Sequence, residues 1–160
     1  MQHDRKEKLK PIKIYLDVCC LNRPFDDQSN ERIRIEAEAV FQILKLCKLS
    51  AFELYSSEMV DYELNNIEEL EKRNRIYFLL QSAKKIKLTE SIENRAEYFK
   101  TKNIDNFDAL HLALAETECD IIFTVDDKLL KKCESLKTEL KIETHNPLKY
   151  IAEHIYDKNR

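Results

Sequence analysis

The chain contains no glycine in its 160 residues, where average usage of about 7% would supply roughly eleven. That absence excludes glycine-rich phosphate loops and the dinucleotide-binding fingerprint, which both need glycine where the backbone approaches phosphate. Turns must rely on other residues, and Asn22, Asn30, Asn65, Asn66 and Asn103 are the candidates. No run approaches about 18 consecutive apolar residues, so no membrane-spanning helix is expected. The charged start, Met1 to Lys10, lacks the apolar core of a signal peptide. Residues 1–11 are expected to form a flexible lead-in to one domain over 12–160, in a cytoplasmic protein. The five cysteines include no Cys-x-x-Cys pair, and His3, His111, His145 and His154 show no zinc-ligand spacing. An odd count with Cys19 next to Cys20 makes a poor disulfide framework, so buried small hydrophobes are expected. A basic surplus is missing too: 27 basic and 30 acidic residues give a net charge of -3. This balance argues weakly against a nucleic-acid partner, although an acidic cluster would lower the total and mask a local basic rim.

What the chain does have is alternation of short apolar runs with helical patterns. Strands are predicted at Ile12 to Leu16, Phe52 to Ser56 and Ile121 to Val125, with an edge strand from Leu140 to Glu143. Residues 18–28 are expected to form a polar loop, and residues 84–89 a short extended or loop segment. Between Ser29 and Leu49, the positions Ile33, Ala37, Val40, Phe41 and Leu44 recur at helical spacing. Ser57 is placed to cap a helix carrying Met59, Val60, Glu63, Leu64 and Ile67 on one side. Helices are also predicted over 68–83 (with Leu70, Ile76, Tyr77 and Leu80 inward), 90–102, 106–118 and from Asp126 to Ser135, and a last one starts at Pro147. This order predicts a three-layer α/β/α sandwich around a parallel sheet of about four or five strands.

Two of the apolar runs end in aspartate: Asp17 after the first strand, Asp126 after the strand at 121. Open α/β sheets place their sites at these C-terminal strand ends. Asp108 opens the apolar segment to Ala115, and Glu63 lies on the inward face of its helix. Each has a plain structural alternative. Asp17 could end a strand, Asp126 could cap the next helix, and Asp108 could sit at the third position of a helix capped by Asp105. Glu63 could form a buried salt bridge to a Lys or Arg. Together they predict an oxygen-only site for Mg²⁺ or Mn²⁺, because unit charges about 4 Å apart repel by about 4 kcal/mol at an effective dielectric near 20. Asp17 and Asp108 would ligate or bridge the ion, with Glu63 and Asp126 completing the site directly or through water. The reaction expected is metal-assisted phosphodiester hydrolysis.

Around these acids, Asn22, Arg23, Thr124 and Lys128 are the candidate substrate contacts, with Lys131 and Lys132 in reserve for phosphates. Asn22 could instead supply a left-handed turn, and Thr124 could orient Asp126. Asp127, Glu58 and Asp61 are understudies for the site, while Asp26 and Asp27 more plainly solvate a loop. His111, one turn beyond Asp108, is either a general base or a hydrogen-bonded core histidine. Tyr15, Phe25 and Tyr62 are candidate base-stacking rings.

Several segments together resemble the PIN-domain family: Tyr15-Leu-Asp17-Val-Cys-Cys-Leu-Asn22-Arg-Pro-Phe-Asp-Asp27, Ser57 with Glu63 six residues on, Asp108-Ala-Leu-His-Leu-Ala, and Phe123-Thr-Val-Asp126-Asp127. Members similar to this chain are VapC-like ribonuclease toxins. The resemblance implies an α/β/α sandwich and Mg²⁺- or Mn²⁺-dependent endoribonuclease activity, with Asp17, Glu63, Asp108 and Asp126 as metal-binding and catalytic acids. It also implies RNA as substrate, a homodimer and a cognate antitoxin, as in a type II toxin–antitoxin module. One departure stands out: Cys19 occupies a position where many members carry Asn or Ser. A catalytically silent PIN-like module binding RNA or protein is therefore the alternative. A phosphatase is opposed by that same residue, since it wants Asp-x-Asp there, and a receiver by the lack of paired acids before a first phospho-acceptor strand.

Overall fold

The computed structural model describes residues 10–156. The expected lead-in therefore lies almost wholly outside the described residues, as does the end of the expected domain. Five strands form one sheet in the order β3-β2-β1-β4-β5, all parallel. They are β1 (Ile12–Leu16), β2 (Phe52–Ser57), β3 (Lys84–Ile86), β4 (Ile121–Phe123) and β5 (Glu143–His145). The strand order reverses at β1, whose two neighbours are β2 and β4, so a crevice opens at the C-terminal ends of β1 and β4. A bond from the Asp17 amide to the Phe123 carbonyl, 3.0 Å, ties those two ends together.

Side-chain alternation along β1 assigns the layers. Ile14 and Leu16 share a face with Phe52 and Phe123 by register. Tyr150 covers that face from α8 (Pro147–Ile151), with ring centroids 6.1 Å from Phe52 and 5.2 Å from Phe123. Helix α2 (Glu31–Lys48) packs beside α8. Tyr15 points to the opposite face, where it meets His111 of α6 (Asn106–Glu118), itself packed on α5 (Glu90–Thr101). The remaining helices are α1 (Val18–Asn22), α3 (Glu58–Asn65), α4 (Leu70–Leu79) and α7 (Asp127–Ser135). The expected three-layer sandwich is the observed one.

The differences have physical causes. The polar stretch after Asp17 is not a loop but α1 followed by a 3-10 turn at Arg23–Phe25. Asp17 accepts from the Val18 amide, and Val18, Cys20 and Leu21 are buried beneath it. The strand at 121 stops at Phe123 because Thr124 and Val125 turn the chain toward α7. The edge strand lies at Glu143–His145 rather than 140–143. The charged helix covers Leu70–Leu79, not 68–83, and buries only Ile76. Leu70 and Phe41, expected inside, are 57% and 50% exposed. Asn103 does adopt a left-handed conformation, but Asn22 does not, and Ser50 supplies the other positive φ among the described residues. All five cysteines are free, with Cys20, Cys119 and Cys133 buried. No helix among the described residues is long and apolar enough to cross a membrane.

One buried charge fastens α2 to its surroundings. Glu36 is 1% exposed and accepts from Arg23 Nε at 3.2 Å and Asn146 Nδ2 at 2.8 Å, with Arg32 Nε at 3.3 Å. It joins the turn after α1, α2 and the cap of α8 at one point. Removing it leaves Arg23 and Asn146 short of an acceptor in a half-buried place. Glu36→Ala should therefore cost about 2–3 kcal/mol, read as a lower urea midpoint at unchanged slope.

Candidate active site

A cleft of about 410 Å³ opens at the crevice between β1 and β4. Asp17, Glu63, Asp108 and Asp126 all line it, with Val18, Cys19, Asn22 and the segment Asp105 to Phe107. Four distant stretches of sequence thus place their acids on one wall. Asp17 arrives at the end of β1, Glu63 on α3, Asp108 in the first turn of α6, and Asp126 at the cap of α7.

Each acid is held differently. Asp17 is 5% exposed and takes only neutral donors: Val18 N–H at 2.8 Å on Oδ1, and Thr124 Oγ1 at 3.0 Å with Cys19 Sγ at 3.2 Å on Oδ2. The Thr124 hydroxyl therefore serves Asp17. Its link to Asp126 is to the backbone amide, 3.2 Å, not to the carboxylate. Asp126 caps α7 by accepting from Lys128 and Leu129 amides, and both bonds fall on Oδ1. Oδ2 has no hydrogen-bond partner among the described residues, so capping and ligation are compatible there. Glu63 does have a partner, but it is neither Lys nor Arg: Oε1 lies 2.6 Å from His111 Nε2. His111 is buried and hydrogen-bonded at both nitrogens, as expected of a core histidine, with Nδ1 2.6 Å from Tyr15 Oη.

Asp108 makes no hydrogen bond or ion pair among the described residues, and Asp105 stands at the cap position without a side-chain cap bond. Burial pushes the Asp108 carboxyl up to about 6, and the charges of Asp17 and Asp126 add to the rise. For His111, burial opposes the charged form, but Glu63, Asp17 and Asp108 outweigh it and raise the imidazole above its ordinary value.

The neighbouring acids contrast with these four. Asp127 is held bidentately by Arg32 at 2.9 and 3.0 Å, which keeps its carboxyl below the usual range. Asp61 pairs with Lys85, Asp26 with Arg23, and Glu58 accepts the Leu88 amide. Asp27 accepts the Ser29 amide. Arg23 is engaged by Asp26 and Glu36, while Lys128 is exposed at the start of α7. Sequence reasoning missed Asp105, a fifth acid on the cleft, and Phe107; their position before Asp108 was the available signal.

Among the described residues, no three His, Cys, Asp or Glu side chains are close enough to enclose an ion by themselves. Mg²⁺ takes one or two carboxylates and keeps several waters, so a looser acidic cleft suits it. The donor set is oxygen-rich; Asn22 lines the cleft, and its Oδ1 is buried without a hydrogen-bond partner among the described residues. An orphan acceptor beside unpaired carboxylates fits a hydrated cation.

The sequence model of the family described as PIN domain matches residues 14–135, and the chain belongs to that family. No curated protein matches the sequence. Among solved structures, VapBC-1 from nontypeable Haemophilus influenzae is 16% identical with a TM-score of 0.54, covering 85% of this chain and 98% of that one. FitAcB from Neisseria gonorrhoeae is 17% identical at 0.52, over 84% and 97%. VapBC2 from Rickettsia felis, bound to a DNA fragment from their promoter, is 13% identical at 0.54, over 84% and 98%. These likenesses establish the PIN-like fold. PIN domains are generally nucleases.

The raised Asp108 carboxyl has a stability consequence of definite sign. Unfolded, the group titrates near 3.8; folded, near 6. The native state holds the extra proton between those values, so stability falls as pH rises through that window and the penalty is complete above it. The full shift corresponds to about 3 kcal/mol, but partial exposure reduces it to about 1 kcal/mol. Asp108→Asn should raise the Tm of the metal-free protein at pH 7.5 by about 2–4 °C. By calorimetry, the gain should shrink as pH falls below 6 toward 4.

Proposed function

We propose that this PIN-domain protein is a divalent-metal-dependent endoribonuclease that hydrolyses RNA phosphodiester bonds, acting as the toxin of a type II toxin–antitoxin module. The observation that carries the proposal is the contrast just described. Asp17, Glu63, Asp108 and Asp126 share one cleft with no Lys or Arg paired to any of them among the described residues, while Asp26, Glu58, Asp61 and Asp127 nearby are engaged elsewhere. Unpaired carboxylates kept together in that way are tolerable when a cation joins them.

Asp17 and Asp108 would hold a Mg²⁺ or Mn²⁺ ion directly, and Glu63 and Asp126 directly or through water. Bound there, such an ion supplies an acidified water and stabilises charge developing on a phosphate. The protein's own residues set the geometry. Val18, Cys19 and Thr124 fix the Asp17 carboxylate, the α7 cap fixes Asp126, and Asn22 Oδ1 offers an acceptor for a coordinated water. Thr124, 1% exposed, acts through Asp17 rather than by touching substrate. Cys19 was the residue favouring a silent module. Its thiol reaches Asp17 at 3.2 Å, which supports the active reading.

For the substrate, Tyr62 and Phe107 stand 55% and 46% exposed with ring centroids 6.1 Å apart, and Phe107 lines the cleft. Each is the residue before a site acid. Two accessible rings beside the acids suit stacking on unpaired bases, with Lys128 and Asn22 as further contacts. Cytoplasmic location, a homodimer and a cognate antitoxin complete the proposal. The apolar groove lined by Phe25, Phe41, Leu70 and Phe78 supports a protein partner.

Asp17→Asn should abolish Mn²⁺-dependent cleavage of a fluorescent oligoribonucleotide while the circular dichroism stays unchanged; cleavage surviving in stringently purified protein would refute the role. Replacing Tyr62 and Phe107 by Leu should weaken oligoribonucleotide binding by about 5- to 100-fold per stacked base. Anisotropy in EDTA reads this loss, and Mn²⁺ affinity should stay as it was.

A further inference from the structure

A continuous line of buried hydrogen bonds runs from the start of α3 back to Glu63 on the same helix. The Val60 amide donates to Ser57 Oγ at 3.2 Å, and Ser57 Oγ lies 2.7 Å from Tyr15 Oη. Tyr15 Oη is 2.6 Å from His111 Nδ1, and His111 Nε2 is 2.6 Å from Glu63 Oε1. Ser57 and Tyr15 are 0% exposed and His111 is 1%, so water does not relieve any member.

The donor and acceptor inventory fixes the direction of this line. An ionised Glu63 only accepts, so His111 must present Nε2–H to it. In the neutral ring Nδ1 is then an acceptor, and its neighbour Tyr15 must donate its single O–H there. Tyr15 Oη is left to accept, so Ser57 donates to it and in turn accepts from Val60. Every proton finds a partner.

His111 also stands three residues after Asp108 on α6, so the two share a face of that helix. Its bond to Glu63 therefore joins α3 to the helix that carries another site acid. We propose that His111 is a positioning residue, held by Tyr15 and Ser57 so that its Nε2–H points at Glu63, which pins Glu63 Oε1 and leaves Oε2 to face the cleft for a divalent cation. The proposal rests on the metal-site reading given above, and it assigns to β1, α3 and α6 a shared task beyond packing. Groups that orient a ligand in this way typically govern affinity by about 10- to 100-fold.

Two measurements on the full chain test it. Long-range proton–nitrogen spectra of ¹⁵N-histidine-labelled, metal-free protein at pH 7.5 should show a proton on His111 Nε2, and Tyr15→Phe should admit the Nδ1–H tautomer. Mn²⁺ titration followed by electron paramagnetic resonance should show His111→Leu weakened about 10-fold or more. His111→Gln, whose amide restores a donor toward Glu63, should recover most of that loss although it also lacks the ring. A purely structural histidine would lower stability in both variants without this split in metal affinity. Finding the neutral Nδ1–H tautomer in the unaltered protein, or equal Mn²⁺ affinity in His111→Leu, would overturn the proposal. If the unaltered protein bound no Mn²⁺, the metal reading would fail, and the nitrogen spectra would still decide the tautomer.

Discussion

Mutual repulsion among carboxylates at the β1–β4 crevice is the constraint to which the rest of this structure answers. The sheet order creates the crevice, and the strand ends deliver Asp17 and Asp126 to it. Asp17 is the most buried of the four, and it is surrounded by an amide, a hydroxyl and a thiol rather than by a cation. Neutral donors stabilise its charge while leaving it available to a metal ion. An arginine in their place would stabilise the apo fold more and occupy the site. Asp108 has a raised carboxyl, pushed up first by burial and further by the charges of Asp17 and Asp126. This is the pattern of a functional site that lowers the stability of the empty protein.

The outer network keeps that repulsion local. Arg32 grips Asp127, one residue from Asp126, and also reaches Glu36, which Arg23 and Asn146 share. Arg23 and Arg32 are thereby committed to acids outside the crevice. A net charge of -3 then says little about the cleft itself. What matters is which acids have cations beside them, and the chain sorts them clearly.

Much of this was legible in the sequence because it rests on local rules. Buried parallel strands read as apolar runs, so β1, β2 and the start of β4 were plain, and with them the placement of Asp17 and Asp126. Ser57 announced the cap of α3. What escaped depends on contacts distant in sequence. Helix α1 is short, and its burial under the sheet edge decides its form more than its polar composition does. Phe41 has the right period for the core, yet it faces the groove it forms with Phe78 and Leu70. The strand at 143 pairs with β4 through Thr144 and His145, a register that no local pattern sets. Glu63 looked in need of a Lys or Arg. Its partner came from α6, 48 residues away, and was a histidine already noted for its closeness to Asp108.

The departure at Cys19 shows how such a site can vary and keep its logic. Asn or Ser at that position would offer a stronger donor; the thiol offers a weaker and longer one, 3.2 Å from Asp17 Oδ2. Thr124 Oγ1 sits 3.3 Å from the same sulfur and donates to the same oxygen at 3.0 Å. The hydroxyl thus supplies most of the restraint, and the thiol fills the space beside it without bringing a charge. Substitution at one donor is tolerable because Asp17 has three, drawn from α1, the backbone and the end of β4. By the same reasoning Glu63 is the more vulnerable acid, since its geometry hangs on a single imidazole whose orientation is set two bonds further back by Ser57. Redundancy at Asp17 and dependence at Glu63 follow from burial. The buried acid must be satisfied by several groups, while the partly exposed one has solvent to fall back on and so can be steered by one.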